Sequence, residues 1–426
     1  MSAPFAEHPV DQVDTPQRVA VVGAGMVGLA TAWFLQESGV QVTVYEREQV
    51  AAGASWGNAG WLTPSLTAPL PEPAVLRYGL RAVLSPGSPV YVPVSADRRL
   101  VRFLASFARH STPARWRRGM AALVPLNDRA LQAFDALAAG GVTAATRSAA
   151  PFLACFRTAA ERDSLLEELR QIRAAGQSDV VFGPLSGEQA RVLEPALSTK
   201  VGAALQLYGQ RYLHPPEYLR ALGYSFADRG GELVEGVTVR ELRTVPDGVV
   251  VSTDRGEQRH DAVVVATGAT LNDLVAPFGV RRPVQAGRGY SFSVPVESMP
   301  AGPLYFPSQR VACTPLGSRL RVAGMMEFRR PTDPLDPRRV RAIVDAVRPF
   351  LPGADFSDRH NEWVGSRPCT GDGLPLLGRT ASPRVFAAGG HGMWGIALGP
   401  VTGMLLAQAV TKGESPEELR PFDPLR

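Results

Sequence analysis

The chain has 426 residues, of which 45% are hydrophobic and 20% are charged, a composition typical of a folded globular protein rather than a disordered or fibrous one. Its length predicts two domains or more. The net charge of +5 is small for this length, and the basic residues are nearly all arginine. Nothing in this charge balance indicates nucleic-acid binding.

The three cysteines, Cys155, Cys313 and Cys369, are too far apart to suggest a disulfide framework or a metal site. They therefore predict a reducing, cytoplasmic setting and no metal. Residues 1–16 contain acids and prolines but no apolar run, so we expect a disordered lead-in rather than a secretory signal. Residues 385–411 carry no charge and are long enough to span a bilayer, but their many glycines favour a buried strand, a turn and a core helix.

Four short apolar or β-branched runs predict buried parallel strands, at residues 19–22, 42–45, 261–267 and 384–388. A helix over 26–38 joins the first two and completes a βαβ unit. Because the last two strands lie far downstream, this domain must be assembled from separated segments of the chain.

The segments between these strands predict a β-meander and a second domain. Tight turns separate strand-like residues 236–242 and 249–253, which indicates a meander that leads into 261–267. The other runs predict helices and strands of a mixed domain: helices at 98–110, 123–139, 160–175 and 337–350, and strands at 152–158, 289–294, 311–314 and 319–325.

A glycine fingerprint follows the first strand and opens the first helix, in the order Gly23, Ala24, Gly25, Met26, Val27, Gly28. Such glycines allow a tight turn, close approach of backbone amides to a pyrophosphate, and packing of helix on strand. The second strand ends at Glu46, where a carboxylate can bind the ribose hydroxyls of an adenosine. A dinucleotide site is therefore predicted here.

Three further glycine-rich stretches decide which dinucleotide is favoured. They lie at residues 51–60, 266–268 and 389–395. A cofactor approached by four separated segments is long and buried, which favours FAD over NAD. An NAD-dependent dehydrogenase stays open as an alternative, because the fingerprint itself does not distinguish the two.

With these motifs, nearly the whole chain resembles the FAD-dependent D-amino-acid oxidase superfamily, and especially bacterial D-amino-acid dehydrogenases and glycine or sarcosine oxidases. The resemblance rests on the fingerprint, on residues 55–60, and on 288–291 (Arg-Gly-Tyr-Ser). It also rests on 365–368 (Gly-Ser-Arg-Pro), 372–378 and 390–392 (Gly-His-Gly). It implies a Rossmann-type FAD-binding domain with a β-meander, from residues 17–66, 212–284 and 358–426, and a mixed-sheet substrate domain from 67–211 and 285–357.

The resemblance also implies the roles of individual residues. Arg367 matches the arginine that binds the substrate carboxylate, and Tyr290 matches a tyrosine near the active site. Weaker candidates for the substrate pocket are Tyr208, Arg211, Tyr212, His391 and Trp394. The residues expected to bind FAD are Gly23, Ala24, Gly25, Met26, Val27, Gly28, Tyr45, Glu46, Arg47, Ser55, Asn58, Ala59, Gly60, Trp61, Leu62, Val237, Ala266, Thr267, Gly268, Gly390, His391, Gly392, Met393, Trp394 and Gly395.

The implied activity is oxidative deamination of an amino acid, with a D-amino acid favoured, through hydride transfer from Cα to flavin N5. An imine forms and hydrolyses to a 2-oxo acid, and oxygen or a quinone accepts the electrons. A secondary-amine substrate such as sarcosine or proline, glycine as the substrate, or FAD as a non-catalytic brace are the alternatives. Cys369 does not match the spacing of known flavin attachment sites, so FAD is expected to bind non-covalently.

One basic segment permits a peripheral membrane contact. It carries no acid, and apolar residues recur at helical spacing on one side. A core-packed helix with a solvated basic face is the interpretation we favour. Its arginines are Arg98, Arg99, Arg102, Arg109, Arg115, Arg117 and Arg118.

Overall fold

A computed structural model describes residues 15–72, 88–93 and 97–426. Of the predicted lead-in, residues 1–14 lie outside the described part.

The predicted parallel strands form the centre of a six-stranded sheet. In sheet order the strands are β10 (Glu232–Val234), β2 (Gln41–Tyr45), β1 (Arg18–Val22), β14 (Ala262–Val265), β21 (Val385–Gly389) and β20 (Leu376–Arg379). The first five are parallel, and β20 runs antiparallel to β21. The four predicted strands are confirmed, whereas the two edge strands were not predicted.

Two helices pack in parallel on this sheet because glycines let them approach closely. Helix α1 (Met26–Glu37) follows β1, and helix α9 (Gly395–Lys412) follows β21. A Cβ at Gly399 would lie 2.5 Å from Met26, and one at Gly403 would lie 2.6 Å from Ala30. The contact moves from Met26 to Ala30 on α1 as it moves from Gly399 to Gly403 on α9, so the two helices run in the same direction. Both N-termini therefore lie at the same end of the sheet, where β1 and β21 also end.

Helix α9 and its short 3₁₀ lead-in are long and apolar enough to cross a membrane, but 72% of the window is buried inside the protein. The structure therefore agrees with the prediction of a core helix.

The predicted meander is a separate three-stranded antiparallel sheet. Its strands are β11 (Val239–Val245), β12 (Gly248–Thr253) and β13 (Gly256–His260). Strand β13 leads directly into β14, as predicted.

The second domain is built on a nine-stranded mixed sheet. Its main path is β19 (His360–Thr370), β15 (Val284–Val294), β18 (Arg319–Phe328), β17 (Val311–Leu316), β16 (Leu304–Phe306), β6 (Phe152–Phe156), β8 (Ala203–Leu207) and β7 (Phe182–Ser186), with β4 (Val90–Tyr91) paired to β18. A small sheet of β3 (Trp61–Leu62), β9 (Arg211–Tyr212) and β5 (Arg147–Ser148) lies beside it. The described helices not yet mentioned are α2 (Arg98–His110), α3 (Pro113–Ala139), α4 (Ala159–Ala174), α5 (Gly187–Leu193), α6 (Pro215–Asp228), α7 (Leu271–Val275) and α8 (Pro337–Val347).

One predicted domain boundary requires correction. The FAD-binding segment was expected to resume at residue 358, but β19 pairs with β15 along nearly its whole length. The chain rejoins the six-stranded sheet only at Leu376. The strand His360–Thr370, and with it the Arg-Pro motif, therefore belongs to the substrate sheet.

Candidate active site

The glycine fingerprint forms a tight loop between β1 and α1. Gly23 adopts a left-handed φ of 109°, and a Cβ there would lie 2.6 Å from the carbonyl oxygen of Ala266. A Cβ at Gly28 would overlap the carbonyl oxygen of Gly23. Both glycines are therefore required for the helix to begin against the ends of β1 and β14. Gly25 is the N-cap of α1, and the first turn carries no acidic side chain that would compete with a phosphate.

Glu46 and Ser55 each accept a hydrogen bond from a backbone amide of this loop. The Glu46 carboxylate accepts hydrogen bonds from the amide of Ala24 at 2.8 Å and from that of Glu48 at 3.1 Å. The Ser55 hydroxyl accepts one from the amide of Met26 at 3.3 Å. A carboxylate at the end of β2, held beside the glycine loop, is placed where the ribose of an adenosine dinucleotide binds in such folds.

The other glycine-rich stretches leave polar groups and space beside the fingerprint. The Thr267 hydroxyl is buried and has no described hydrogen-bond partner. Gly268 and Gly392 adopt left-handed φ angles of 60° and 56°, and nothing lies within 4 Å of the Cβ position of either. Gly399, which contacts Met26 at the start of α1, lies one helical turn into α9. The N-terminus of α9 therefore extends about one turn beyond that of α1 and provides a second positive helix end. These features fit a long anionic cofactor such as FAD.

The loop between β2 and β3 is fixed to the substrate sheet. The Thr314 hydroxyl donates to the carbonyl of Ala59 and accepts from the Trp61 indole, each at 2.8 Å. The Asn58 side chain accepts a hydrogen bond from the amide of Gly60, and Asn58, Ala59 and Trp61 line a large cavity beside the loop. Leu62 is buried in the core. The predicted cofactor loop thus spans both domains.

Three of the predicted cofactor residues are engaged by the protein itself. The Tyr45 hydroxyl donates to Gln258 at 2.6 Å, the amide of Val237 donates to the carbonyl of Glu46, and Arg47 pairs with Glu48 at the surface. A cofactor contact by any of them stays a prediction.

A cavity of about 440 Å³ lies between this loop and the nine-stranded sheet. Arg367 of β19 lines it, together with Trp61 from the loop and Met393 and Trp394 from the turn before α9. The described hydrogen bond of Arg367 goes from Nη1 to the carbonyl of Met325 at 2.9 Å, and no described carboxylate pairs with it. Burial lowers the pKa of this guanidinium. A guanidinium in a cavity wall without a described carboxylate partner can donate hydrogen bonds to an anion and bind it there.

Glycines give Arg367 its position. A Cβ at Gly289 would lie 2.5 Å from Nη1 of Arg367, so the guanidinium lies flat across the backbone of β15. The indole of Trp363 lies in the same way against Gly365 and Gly57. Residues 363, 365 and 367 lie on the same face of β19, and Trp363 and Arg367 on that face line the cavity.

An irregularity in the neighbouring strand supplies the partner of Arg367. The register of β15 against β18 shifts between Arg288 and Tyr290, and Met325 on β18 has a left-handed φ of 64°. Bulges of this kind re-aim groups at functional sites. The Met325 carbonyl, which accepts the hydrogen bond from Arg367, lies at this bulge.

The structure corrects the expectation for Tyr290. It lies one residue from Gly289 and therefore on the opposite face of the sheet, in the core beneath α8. Its hydroxyl donates to Glu327 at 2.5 Å, and Glu327 also pairs with the buried Arg288. Burial, and then Glu327, raise the pKa of Tyr290. Tyr290 does not line the cavity, so a contact with a substrate carboxylate has no support from this geometry.

Three other pocket candidates also lie outside the cavity lining. The Tyr208 side chain is 44% exposed and bonds to Gln206. Arg211 pairs with Asp135 at 2.5 Å. Tyr212 is buried beside helices of the second domain. Arg211 and Tyr212 form β9 of the small sheet, in which only the neighbouring Trp61 lines the cavity among the described residues.

The residues before α9 divide between the core and the cavity. His391 is buried, and its Nε2 lies 3.0 Å from the Thr402 hydroxyl. Burial lowers the pKa of His391 to about 4, which keeps the ring neutral and unsuited to receive a proton from a substrate near neutral pH. Trp394, by contrast, lines the cavity and donates from its indole to the carbonyl of Ala68 at 2.8 Å.

Several cavity residues escaped the sequence analysis. Trp363 could have been predicted, because it lies four residues before Arg367 and side chains an even number of residues apart lie on the same face of a strand. The bulged Met325 carried no signal, because backbone carbonyls and bulges are invisible in a sequence. Four further residues, Glu72, Glu168, Tyr305 and Arg310, line the same cavity and come from segments far apart in the chain.

Comparison with known proteins agrees with this construction. Residues 18–409 match the family described as FAD dependent oxidoreductase, and the chain belongs to that family, so its cofactor is FAD. Among individual proteins, it is 30% identical over 408 residues to the D-amino acid dehydrogenase of Cereibacter sphaeroides, covering 94% of this chain and 93% of that protein. It is 29% identical to the D-amino acid dehydrogenase of Vibrio vulnificus, covering 96% and 99%.

Solved structures show the same fold. Glycine oxidase from Geobacillus kaustophilus superposes with a TM-score of 0.73 at 24% identity, covering 96% of this chain and 99% of the other. L-Proline dehydrogenase from P. horikoshii gives 0.71 at 17% identity, covering 97% and 98%. The predicted fold class and family resemblance are therefore confirmed.

Proposed function

We propose that this flavoprotein oxidises the Cα–N bond of an α-amino acid, with a D-amino acid favoured, and releases a 2-oxo acid. The observation that carries the proposal is Arg367, a guanidinium without a described carboxylate partner in the wall of an otherwise largely apolar cavity. The names of the relatives from Cereibacter sphaeroides and Vibrio vulnificus support an amino-acid substrate and the D-configuration.

The chain's own residues perform binding, orientation and exclusion of water. Arg367 can hold a carboxylate through two parallel hydrogen bonds, which limits how the adjacent Cα–H bond is directed. Trp61, Trp363 and Trp394 line the cavity with apolar surface that excludes water.

FAD, when bound, supplies the acceptor for the hydride that leaves Cα. The substrate amine must be neutral for its lone pair to form the C=N bond of the imine. Water then adds to the imine and releases ammonia and the 2-oxo acid. No side-chain base is needed, which agrees with a neutral His391 that bonds to Thr402.

Anaerobic bleaching of the flavin near 450 nm by a panel of amino acids tests the proposal. The panel contains D- and L-α-amino acids, glycine, sarcosine and proline. Reduction by D-amino acids with release of 2-oxo acid supports it. Reduction only by sarcosine or proline would replace it with secondary-amine oxidation, and a flavin that no amine reduces would leave FAD as a structural brace.

Arg367→Ala tests the carboxylate clamp, with Arg211→Ala as the matched control. Loss of a bidentate charge-assisted contact costs about 3–4 kcal/mol, or roughly 100- to 1,000-fold in kcat/KM. Arg211→Ala should leave kcat/KM within twofold, because that side chain pairs with Asp135 away from the cavity. Equal kinetics for Arg367→Ala and the native protein would refute the assignment.

We further propose that oxygen or a quinone reoxidises the flavin. Reduced protein is mixed with air-saturated buffer and, separately, with a water-soluble quinone under nitrogen. Recovery of the 450 nm band with oxygen defines an oxidase, and recovery with the quinone alone defines a dehydrogenase.

We also propose that the protein is cytoplasmic and that any membrane contact is peripheral and electrostatic. All three cysteines are free and buried, which suits a reducing compartment. On α2 the apolar residues Leu100, Phe103 and Phe107 pack into the protein, whereas the seven arginines between positions 98 and 118 are exposed. Co-sedimentation with anionic vesicles at low salt, lost at high salt, would support the contact; no co-sedimentation would exclude it.

A further inference from the structure

The cavity that contains Arg367 has a second charged end. Glu72, Glu168, Tyr305 and Arg310 line it together, and they are the titratable residues other than Arg367 in the described lining. Burial raises the pKa of Glu72 and raises that of Glu168 to about 8, and the nearby Arg310 guanidinium, which hydrogen-bonds the Tyr305 hydroxyl, offsets part of both shifts, so the four groups interact. While the glutamates retain one proton between them this end is neutral, and once that proton leaves it carries a net charge of −1, opposite to that of Arg367.

The sheet fixes the distance between the two ends. Arg367 extends from β19 across β15 and bonds to Met325 on β18, whereas Tyr305 stands on β16, two strands further along the order β18–β17–β16. Two strand spacings amount to about 10 Å. Ala312 and Ala323, which face each other on β17 and β18, line the cavity between them. The floor between the charged ends is thus apolar.

Helix α4 directs Glu168 into the cavity. Leu165 and Glu168 lie one helical turn apart and both line it. The neighbouring Glu167 is exposed and pairs with Arg170. Burial, and then repulsion from Glu72, raise the pKa of Glu168. Two carboxylates that share a confined space retain a proton between them unless a cation takes its place.

We propose that this end of the cavity is a side-chain subsite that selects amino acids with a cationic amine or guanidinium group. The substrate lies with its carboxylate on Arg367 and its cation between Glu72 and Glu168. A side chain of the length of lysine or arginine spans the apolar floor between them. An anionic side chain of the same length meets two carboxylates, and a neutral one leaves the two carboxylates with the single positive charge of Arg310. This inference rests on the proposed amino-acid oxidation.

A pair of unreactive ligands tests the subsite without turnover. 6-Aminohexanoate carries a carboxylate and a terminal amine at the spacing found in lysine, and hexanoate lacks the amine. Calorimetry on the FAD-loaded protein should show 6-aminohexanoate binding at least tenfold more tightly. Equal affinities, or tighter binding of hexanoate, would overturn the subsite whatever the reaction proves to be.

Turnover separates failure of the subsite from failure of the proposed function. Anaerobic flavin reduction is compared for D-lysine, D-norleucine and D-2-aminoadipate. We expect the reduction rate constant divided by Kd to fall at least tenfold from D-lysine to D-norleucine, and to be lower again for D-2-aminoadipate. If D-norleucine matches D-lysine, the subsite is wrong while amino-acid oxidation stands; if no α-amino acid reduces the flavin but sarcosine does, the proposed function is wrong.

Matched variants assign the effect to these carboxylates. Glu168→Gln and Glu72→Gln should each reduce the preference for D-lysine over D-norleucine by about tenfold. Glu167→Gln, on the adjacent exposed position of α4, should keep the native preference. A preference that survives in the Glu72→Gln/Glu168→Gln double variant would overturn the proposal. Should a variant fail to fold, the calorimetric comparison on the native protein still decides.

Discussion

Gly289→Ala is the most specific perturbation that the geometry suggests, because it moves Arg367 without changing any charged group. The new Cβ would lie 2.5 Å from Nη1 of Arg367, whereas ordinary van der Waals contact begins at 3.4 Å. The atoms in conflict belong to the far end of a flexible side chain. The backbone of β15 can therefore stay in place while the guanidinium moves by about 1 Å.

The expected loss follows from that displacement. A shift of this size breaks the 2.9 Å hydrogen bond to the Met325 carbonyl and misaligns the clamp. Misplacement by about 1 Å costs roughly 100-fold in rate, equivalent to about 2.7 kcal/mol of transition-state stabilisation. Stability should change by less than about 1 kcal/mol, because alanine is tolerated in a strand and the moving group is flexible.

Steady-state kinetics with the best amino-acid substrate and thermal unfolding of the FAD-loaded protein measure these two effects. We expect kcat/KM to fall about 30- to 100-fold with a nearly unchanged Tm. Gly223→Ala on α6 is the control, because its Cβ would meet only ordinary contacts at 3.6 Å or more, and it should leave kcat/KM unchanged. Native kinetics for Gly289→Ala would refute the placement of Arg367 across β15, and unfolding would refute the claim that only the side chain yields.

Three further outcomes follow from residues near the cavity. Tyr290→Phe should leave KM within twofold and destabilise the protein by about 1–2 kcal/mol, since its hydroxyl bonds Glu327 on the far face of the sheet; a large rise in KM would restore Tyr290 to the active site. His391 has a pKa of about 4 when folded and about 6.5 when unfolded, so the unfolded chain binds the proton first as the pH falls. The contribution of His391 to the free energy of unfolding is present above pH 6.5 and is lost towards pH 4, with a loss of about 2 kcal/mol between pH 7 and 5. Thermal melts of His391→Gln should therefore depend less on pH than those of the native protein. Identical pH profiles for the two proteins would contradict the lowered pKa. The Cys369 thiol is buried, and burial raises its pKa to about 12, so acid precipitation should release all the yellow colour into the supernatant; colour retained in the pellet of the native protein but not of Cys369→Ser would show a covalent flavin.

Local signals were sufficient for the dinucleotide half of the fold. The strands at 19–22 and 42–45 and the helix between them are short-range features, and the glycines between them have one steric explanation each. The edge strand Glu232–Val234 was missed because three residues carry too little pattern to distinguish a strand from a loop. The predicted domain boundary at residue 358 was wrong because strand pairing joins segments that are far apart in the sequence, and local patterns do not show which strands pair.

The far end of the cavity had no signal in the sequence. Glu72 follows the cofactor loop, Glu168 lies on a helix with acids at 161, 163, 167 and 168, and Arg310 ends a 3₁₀ turn in a left-handed conformation. Glu167 and Glu168 look alike in the sequence, yet one is exposed and the other faces the cavity. Which of the two faces the cavity depends on how α4 is rotated about its axis against the neighbouring sheet, and tertiary packing sets that rotation.

The same reasoning explains why the resemblance located Arg367 but misjudged Tyr290. Both lie in motifs on adjacent paired strands, and β15 pairs Gly287 with Arg367 and Tyr290 with Val364. Alternation then places Arg367 and Gly289 on the cavity face and Tyr290 on the other, so a displacement of one residue in register would exchange their roles. The absence of a side chain at Gly289 is what gives the guanidinium room. The site is therefore defined as much by which strand positions lack a side chain as by which positions carry a charge, and substitutions at Gly289 and Gly365 should alter substrate binding more than substitutions at Tyr290.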